Sequence, residues 1–293
     1  MPIILLLLAG ALAANVLLGP LGFGLIQWHV SANGLNQTYG ADGASLLLVV
    51  PAALAAAWLW QQHRRLASPL ALGVGLATLY YAIAEVLGAD YVRYPGNNER
   101  FFLLFLSLII LSWITAARAW SALDDSPPAP SRWLRRALGV VMLLGGGLIG
   151  LAWTAQLVPI ALTGNLGPDY LDSPSAFWTI RIVDLGFIVP MTLWTGVGLW
   201  NATRSAVKTA YALASFLTLQ SAAVLAMGVV MLWRHDPTAS PGLVYALAPI
   251  TLALAGLTVV LLRSYATGPH SLSGNPGTGG PTISVRTTSD SIL

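Results

Sequence analysis

Residues 177–190 read FWTIRIVDLGFIVP. Twelve uncharged residues enclose Arg181 and Asp184, which stand three positions apart. At a rise of about 1.5 Å per residue, Asp184 would lie roughly 10 Å inside a helix that begins at Phe177. An aspartate has no stem with which to reach an interface. In a lipid-embedded helix it must therefore face protein, water or a cation. Arg181 can snorkel outward. At i, i+3 the two share a helix face and are expected to pair, which lowers the cost of each. Whether the segment is such a helix is decided by the rest of the chain.

The 293 residues are 56% hydrophobic and only 9% charged. A soluble domain carries about 25% charged residues. Too little polar surface exists here to face water, so most of the chain is expected to be solvated by lipid. Eight stretches meet the roughly 20-residue requirement for a membrane helix, at about 3–28, 44–61, 69–89, 101–121, 137–158, 177–200, 209–233 and 243–262. The expected fold is an all-α integral membrane bundle of eight transmembrane helices spanning residues 1–264. The apolar run at the N-terminus lacks a basic leader region and is read as an uncleaved first span. From residue 265 to 293 the Gly, Ser, Pro and Thr content predicts a disordered tail.

Basic residues alternate between the loops. Arg64, Arg65, Arg118, Arg132, Arg135, Arg136, Arg204, Lys208, Arg263 and Arg286 fall on one side, and Arg93, Arg100, Arg181 and Arg234 on the other. The positive-inside rule then places both termini in the cytoplasm of a cell whose inner (plasma) membrane the chain crosses several times. Tryptophans near the span ends form an aromatic belt. Pro20, Pro51, Pro190 and Pro249 fall inside spans, where they kink helices. Small-residue runs at 71–77 (ALGVGLA) and 143–150 (LLGGGLIG) suit close helix crossings. LGADYVRYP at 87–95 echoes LGPDYLDSP at 166–174, which suggests duplicated hairpins two spans apart.

The embedded ionisable and amide groups collect toward the outer side. Glu85, Asn97, Asn98, Glu99, Arg100, Arg181 and Asp184 form the candidate ligand-binding or ion-pair cluster, with Arg100 expected to bind Glu85 or Glu99. Other chemistries are excluded by what the sequence lacks. There is no cysteine, and the four histidines lie at span ends or in the tail, so neither thiolate metal sites nor bis-histidine haem is expected. No phosphate-binding glycine loop or zinc-protease motif is present. No cofactor, no metal and no nucleic-acid partner is expected.

YPGNNERFFLLFLSL, the basic RWLRRALGV and IRIVDLGFIVPMTLWTGVGLW together resemble a widespread group of uncharacterised bacterial multi-pass membrane proteins. That group carries an Asn-Glu-Phe-like span start and an Asp-Leu-Gly…Pro span. The matching positions are Asn98, Glu99, Phe101, Asp184, Leu185, Gly186 and Pro190, within residues 90–235. The resemblance brings no activity with it. It marks Glu99 and Asp184.

Three functions fit these residues. One is an outward-facing carrier of a small solute, linked to a cation or proton held by Glu85, Glu99 and Asp184. Another is a membrane subunit, sensor or scaffold that binds a protein partner, with structural charges. The third is an intramembrane enzyme that acts on a lipid-linked substrate.

Overall fold

The computed structural model describes residues 1–267. Among these all regular secondary structure is helical, without strands. Seven helices are long and apolar enough to cross a membrane. They are α2 (Ala32–Gln61), α3 (Ala67–Leu87), α4 (Asn98–Ala122), α5 (Arg132–Thr163), α6 (Pro174–Trp200), α7 (Arg204–Trp233) and α8 (Pro241–Thr267). A shorter apolar helix, α1 (Pro2–Leu18), precedes them. The chain is thus a multi-pass helical membrane protein, with lipid as the solvent of its apolar faces.

The first helix stops well short of residue 28. Pro20 lacks the N–H that would bond the Val16 carbonyl, so α1 ends at Leu18 and Gly19 follows in extended geometry. The chain then folds back over the helix end. Phe23 N–H bonds Leu17 O at 2.7 Å and Ile26 N–H bonds Leu18 O at 2.8 Å. Ile26 and Trp28 are buried against Phe105. The second helix, by contrast, begins twelve residues earlier than its apolar pattern indicates. Residues 32–44 (ANGLNQTYGADGA) are polar and small, yet they are helical because Ser31 caps them and α7 covers them. A Cβ on Gly40 would come within 2.4 Å of Met227 Cα, so glycine permits this crossing.

Pro51 and Pro190 do not break their helices. Each follows a five-residue π turn, Ser45–Val49 or Asp184–Ile188. Val50 N–H bonds Ser45 O, and Val189 N–H bonds Asp184 O, so the turn ahead of each proline widens and absorbs its missing donor. From the valine before each proline, twelve helical residues run on to Gln61 or Trp200.

This match extends across the described residues. Helices α1–α4 correspond in order to α5–α8. In each half the first helix packs on the part of the second that follows the π turn. The third packs on the fourth. The central pair, α3 and α7, makes the contact between halves. The part of α2 before its π turn crosses onto α7, and the part of α6 before its π turn touches α3. Gly73 lets α3 meet α7, since its Cβ would lie 2.4 Å from Ser215 Cβ; Gly75 lets α3 meet α4. The run 71–77 does serve close packing. The echo between 87–95 and 166–174 does not mark the repeat, because those loops follow the third helix of one half and the first of the other.

The two ends of the bundle differ in kind. At the basic end Arg65 pairs with Asp124, and Lys208 with Asp125 at 2.8 Å. Tyr211 OH donates to Pro128 O. Lys208 also holds the Asp125 carboxyl below its usual range through this hydrogen bond. The opposite end gathers the loops 19–31, 88–97, 164–173 and 234–240. Helix α8 continues to Thr267, so residues 265–267 are not part of a tail; the expected tail beyond them lies outside the described residues.

Candidate functional site

The candidate cluster separates into three groups, the first of which joins the loops of the acidic end. Asn97 is a clip. Its N–H bonds Gln27 O at 2.8 Å, its Oδ1 accepts from Gln27 N–H at 2.8 Å, and its Nδ2 reaches Leu25 O at 3.1 Å. Beside it the His29 ring faces two acceptors, Tyr94 O at 2.6 Å from Nδ1 and Glu99 Oε2 at 2.9 Å from Nε2. Only the doubly protonated ring can donate to both. Burial pulls the His29 pKa down, but the bonds to Tyr94 O and Glu99 outweigh it and leave the pKa raised. Asn98 is fully buried and donates weakly to Tyr91 OH at 3.4 Å. Glu99 is therefore the partner of His29. Arg100 makes no ion pair among the described residues, and the expected Arg100 bridge to Glu85 or Glu99 is not formed. The residues on the loop order differently from the simple charge list because His29 arrives from a segment 70 positions away.

Asp90 anchors the same layer. It accepts from Ser173 Oγ at 2.6 Å, from Ser175 N–H at 3.1 Å and from Ser175 Oγ, at the start of α6. Tyr94 OH and Ser31 Oγ both reach Asp172, at 2.6 Å each. Across the bundle Asn36 accepts from Arg234 Nε at 2.6 Å and donates to Asp236.

The second group surrounds Arg181 and Asp184. They form no salt bridge, contrary to the expectation from their spacing. Trp153 of α5 takes the place between them. Its Nε1–H donates to Asp184 Oδ2 at 2.8 Å, and its ring lies 4.3 Å from the Arg181 guanidinium. The Phe177 ring also lies against the guanidinium, at 3.8 Å. Arg181 then bonds Gln156 and stands 3.6 Å from Asp169. Tyr80 of α3 supplies the second donor to Asp184, at 3.0 Å. Two neutral donors thus hold this carboxylate, and a cation–π stack holds the arginine.

The third group contains a residue that the sequence reading passed over. Asp42 is 1% exposed. Tyr81 OH donates to its Oδ1 at 2.5 Å and accepts from Asn15 Nδ2 at 2.9 Å. Glu85 lies one turn beyond Tyr81 on the same face of α3, half-buried, with no hydrogen bond among the described residues. Among the described residues no base joins this group. Asp42 was missed because its segment is too polar to look embedded. The signal available was the cap at Ser31 followed by thirteen residues free of proline.

Two cavities lie toward the basic end, away from these carboxylates. One, of about 190 Å³, is lined by Trp60, His63, Arg64 and Ser68 among others. The other, of about 270 Å³, is bounded by Leu72, Trp113, Trp120, Met191 and Leu213. The second is lined chiefly by apolar side chains and suits an acyl chain. Glu85 and Asp184 belong to different faces of α3, since Asp184 is bonded by Tyr80 and Glu85 follows Tyr81 by one turn.

Compared with known proteins, the chain matches no family, no curated protein and no solved structure. Its fold and these side chains define a multi-pass helical membrane protein with Asp42, Glu85, Asp90, Asp172, Asp184 and Asp236 buried or half-buried toward one end.

Proposed function

We propose that the chain is a carrier of a small solute, coupled to a cation or proton, in the inner membrane. One observation carries this reading. Asp42 and Asp184 are held by tyrosine and tryptophan donors rather than by bases. A carboxylate paired with a base is committed to that charge. One held by neutral donors can gain or lose a proton or cation while its hydrogen-bonded frame persists. Eight spans with both termini cytoplasmic complete the proposal. Helix α1 is the counterpart of the long α5, and its 17 residues extend about 26 Å. The basic loops then all fall on the cytoplasmic side.

Liposomes loaded with a pH-sensitive dye and carrying the purified chain test this. Ion-driven pH change or charge displacement is expected with the native chain and lost in Asp184→Asn without loss of fold. Traces equal to protein-free liposomes reject the carrier. The native chain has no cysteine, so single cysteines at Asn201 and Thr238 report orientation through membrane-impermeant labels.

A membrane subunit without transport is the second reading. The interlocked loops around Asp90 and Asp172 favour it, because they offer a fixed face to a protein partner. A lipid-linked substrate remains the third, favoured by the apolar cavity beside Trp113.

A further inference from the structure

Asp42 and the broken end of α1 form a second, finer arrangement. Pro20 removes the donor that would cap the Val16 carbonyl. Asn15 O, Val16 O and Asp42 Oδ2 all come within 3.1–3.4 Å of one point, the position a Cβ on Gly19 would take. Asp42 Oδ2 and Asn15 Oδ1 are buried and accept no hydrogen bond. Both side chains are 1% exposed. The C-terminal end of a helix also carries partial negative charge.

We infer that Asn15, Val16 O and Asp42, beside Gly19, form a binding site for a monovalent metal cation of the sodium class. A proton satisfies one carboxylate oxygen, but it does not replace the donor that Pro20 withholds from Val16 O; Asn15 O already accepts from Gly19 N–H at 2.9 Å. A small hard cation can take Asn15 O, Val16 O and Asp42 Oδ2 together, because they share one neighbourhood. One carboxylate among neutral oxygens matches a single charge. Among the described residues no group of three or more His, Asp or Glu could hold a metal, which disfavours a divalent or transition ion. Glu85, a turn from Tyr81 on the same helix face, is a second carboxyl group close to this site. Gly19 has no side chain, and this leaves the oxygens accessible. The assignment rests on the carrier reading for its purpose, though not for its chemistry.

The test is thermal unfolding of the purified full chain in detergent at pH 8. Sodium chloride is titrated against choline chloride at constant ionic strength. A saturable rise in Tm with sodium, absent with choline, is expected. Asp42→Asn and Gly19→Ala should both lose it. Gly19→Ala keeps every polar group, so it tests the site even if Asp42→Asn misfolds. Equal Tm values in the two salts overturn the site, as does a sodium response that survives in Gly19→Ala. A stronger response to calcium than to sodium overturns the assigned class. Stabilisation by acid alone, with no sodium response, assigns Asp42 to protons and also overturns it. Sodium binding without any flux in liposomes leaves the site standing and removes the carrier. Flux without sodium binding does the reverse.

Discussion

Tyr80 and Tyr81 are neighbours on α3, yet they donate to two different carboxylates, Asp184 of the second half and Asp42 of the first. Adjacent helical positions point about 100° apart, so one helix can serve two polar groups without joining them. This places α3 between the halves as the element whose rotation would change both groups together.

The two tyrosines should not be equally costly to remove. Tyr81→Phe deprives Asp42 of its one side-chain hydrogen-bond donor among the described residues and Asn15 of its acceptor, so a loss of about 2–3 kcal/mol is expected. Tyr80→Phe leaves Trp153 on Asp184 and should cost about 1 kcal/mol. Denaturation in mixed micelles measures both. Equal losses would contradict the assigned networks.

Trp153 has two separable roles. Trp153→Phe keeps a ring beneath Arg181 and removes only the donor to Asp184. Trp153→Leu removes both. The leucine variant should be less stable by a further ~0.5–2 kcal/mol, the range of a cation–π contact. Indistinguishable variants would mean that the stack contributes nothing.

The acidic-end loops should loosen as pH rises. The His29 pKa is raised in the folded state, so the stability it contributes is complete below its ordinary value of 6.5 and fades as pH climbs through the folded value. Hydrogen exchange in residues 19–31 and 88–97 should therefore accelerate, beyond the intrinsic rate, on moving from pH 6 to pH 8. In His29→Gln the extra acceleration should vanish. A profile unchanged by that substitution would show that His29 does not govern the loops.

Gly40 and Gly43 offer a matched pair on α2. Gly40→Ala drives a methyl against the Met227 backbone and should cost about 1–3 kcal/mol. Gly43 has nothing within 4 Å of its would-be Cβ, so Gly43→Ala should stabilise by up to ~1 kcal/mol. Thermal unfolding in detergent, read by tryptophan fluorescence, distinguishes them.

Composition and apolar runs alone determined that the chain lives in lipid as a helical bundle, because hydrocarbon admits few other ways to satisfy a backbone. They also located α3 to α8 and named Glu85, Arg181 and Asp184 as embedded. Only the tertiary structure decided three further things. It ended α1 at Leu18, where Pro20 withholds a donor. It made residues 32–44 a helix, because α7 covers a face whose sequence looks like a loop. It also separated Arg181 from Asp184 by placing Trp153 between them. The second and third depend on partners distant in sequence, Met227 far from Gly40 and Trp153 31 positions from Asp184, and the chain that folds back after α1 is held by Phe105 against Ile26 and Trp28. Local pattern registers how a residue partitions between water and lipid, but not which neighbour will meet it.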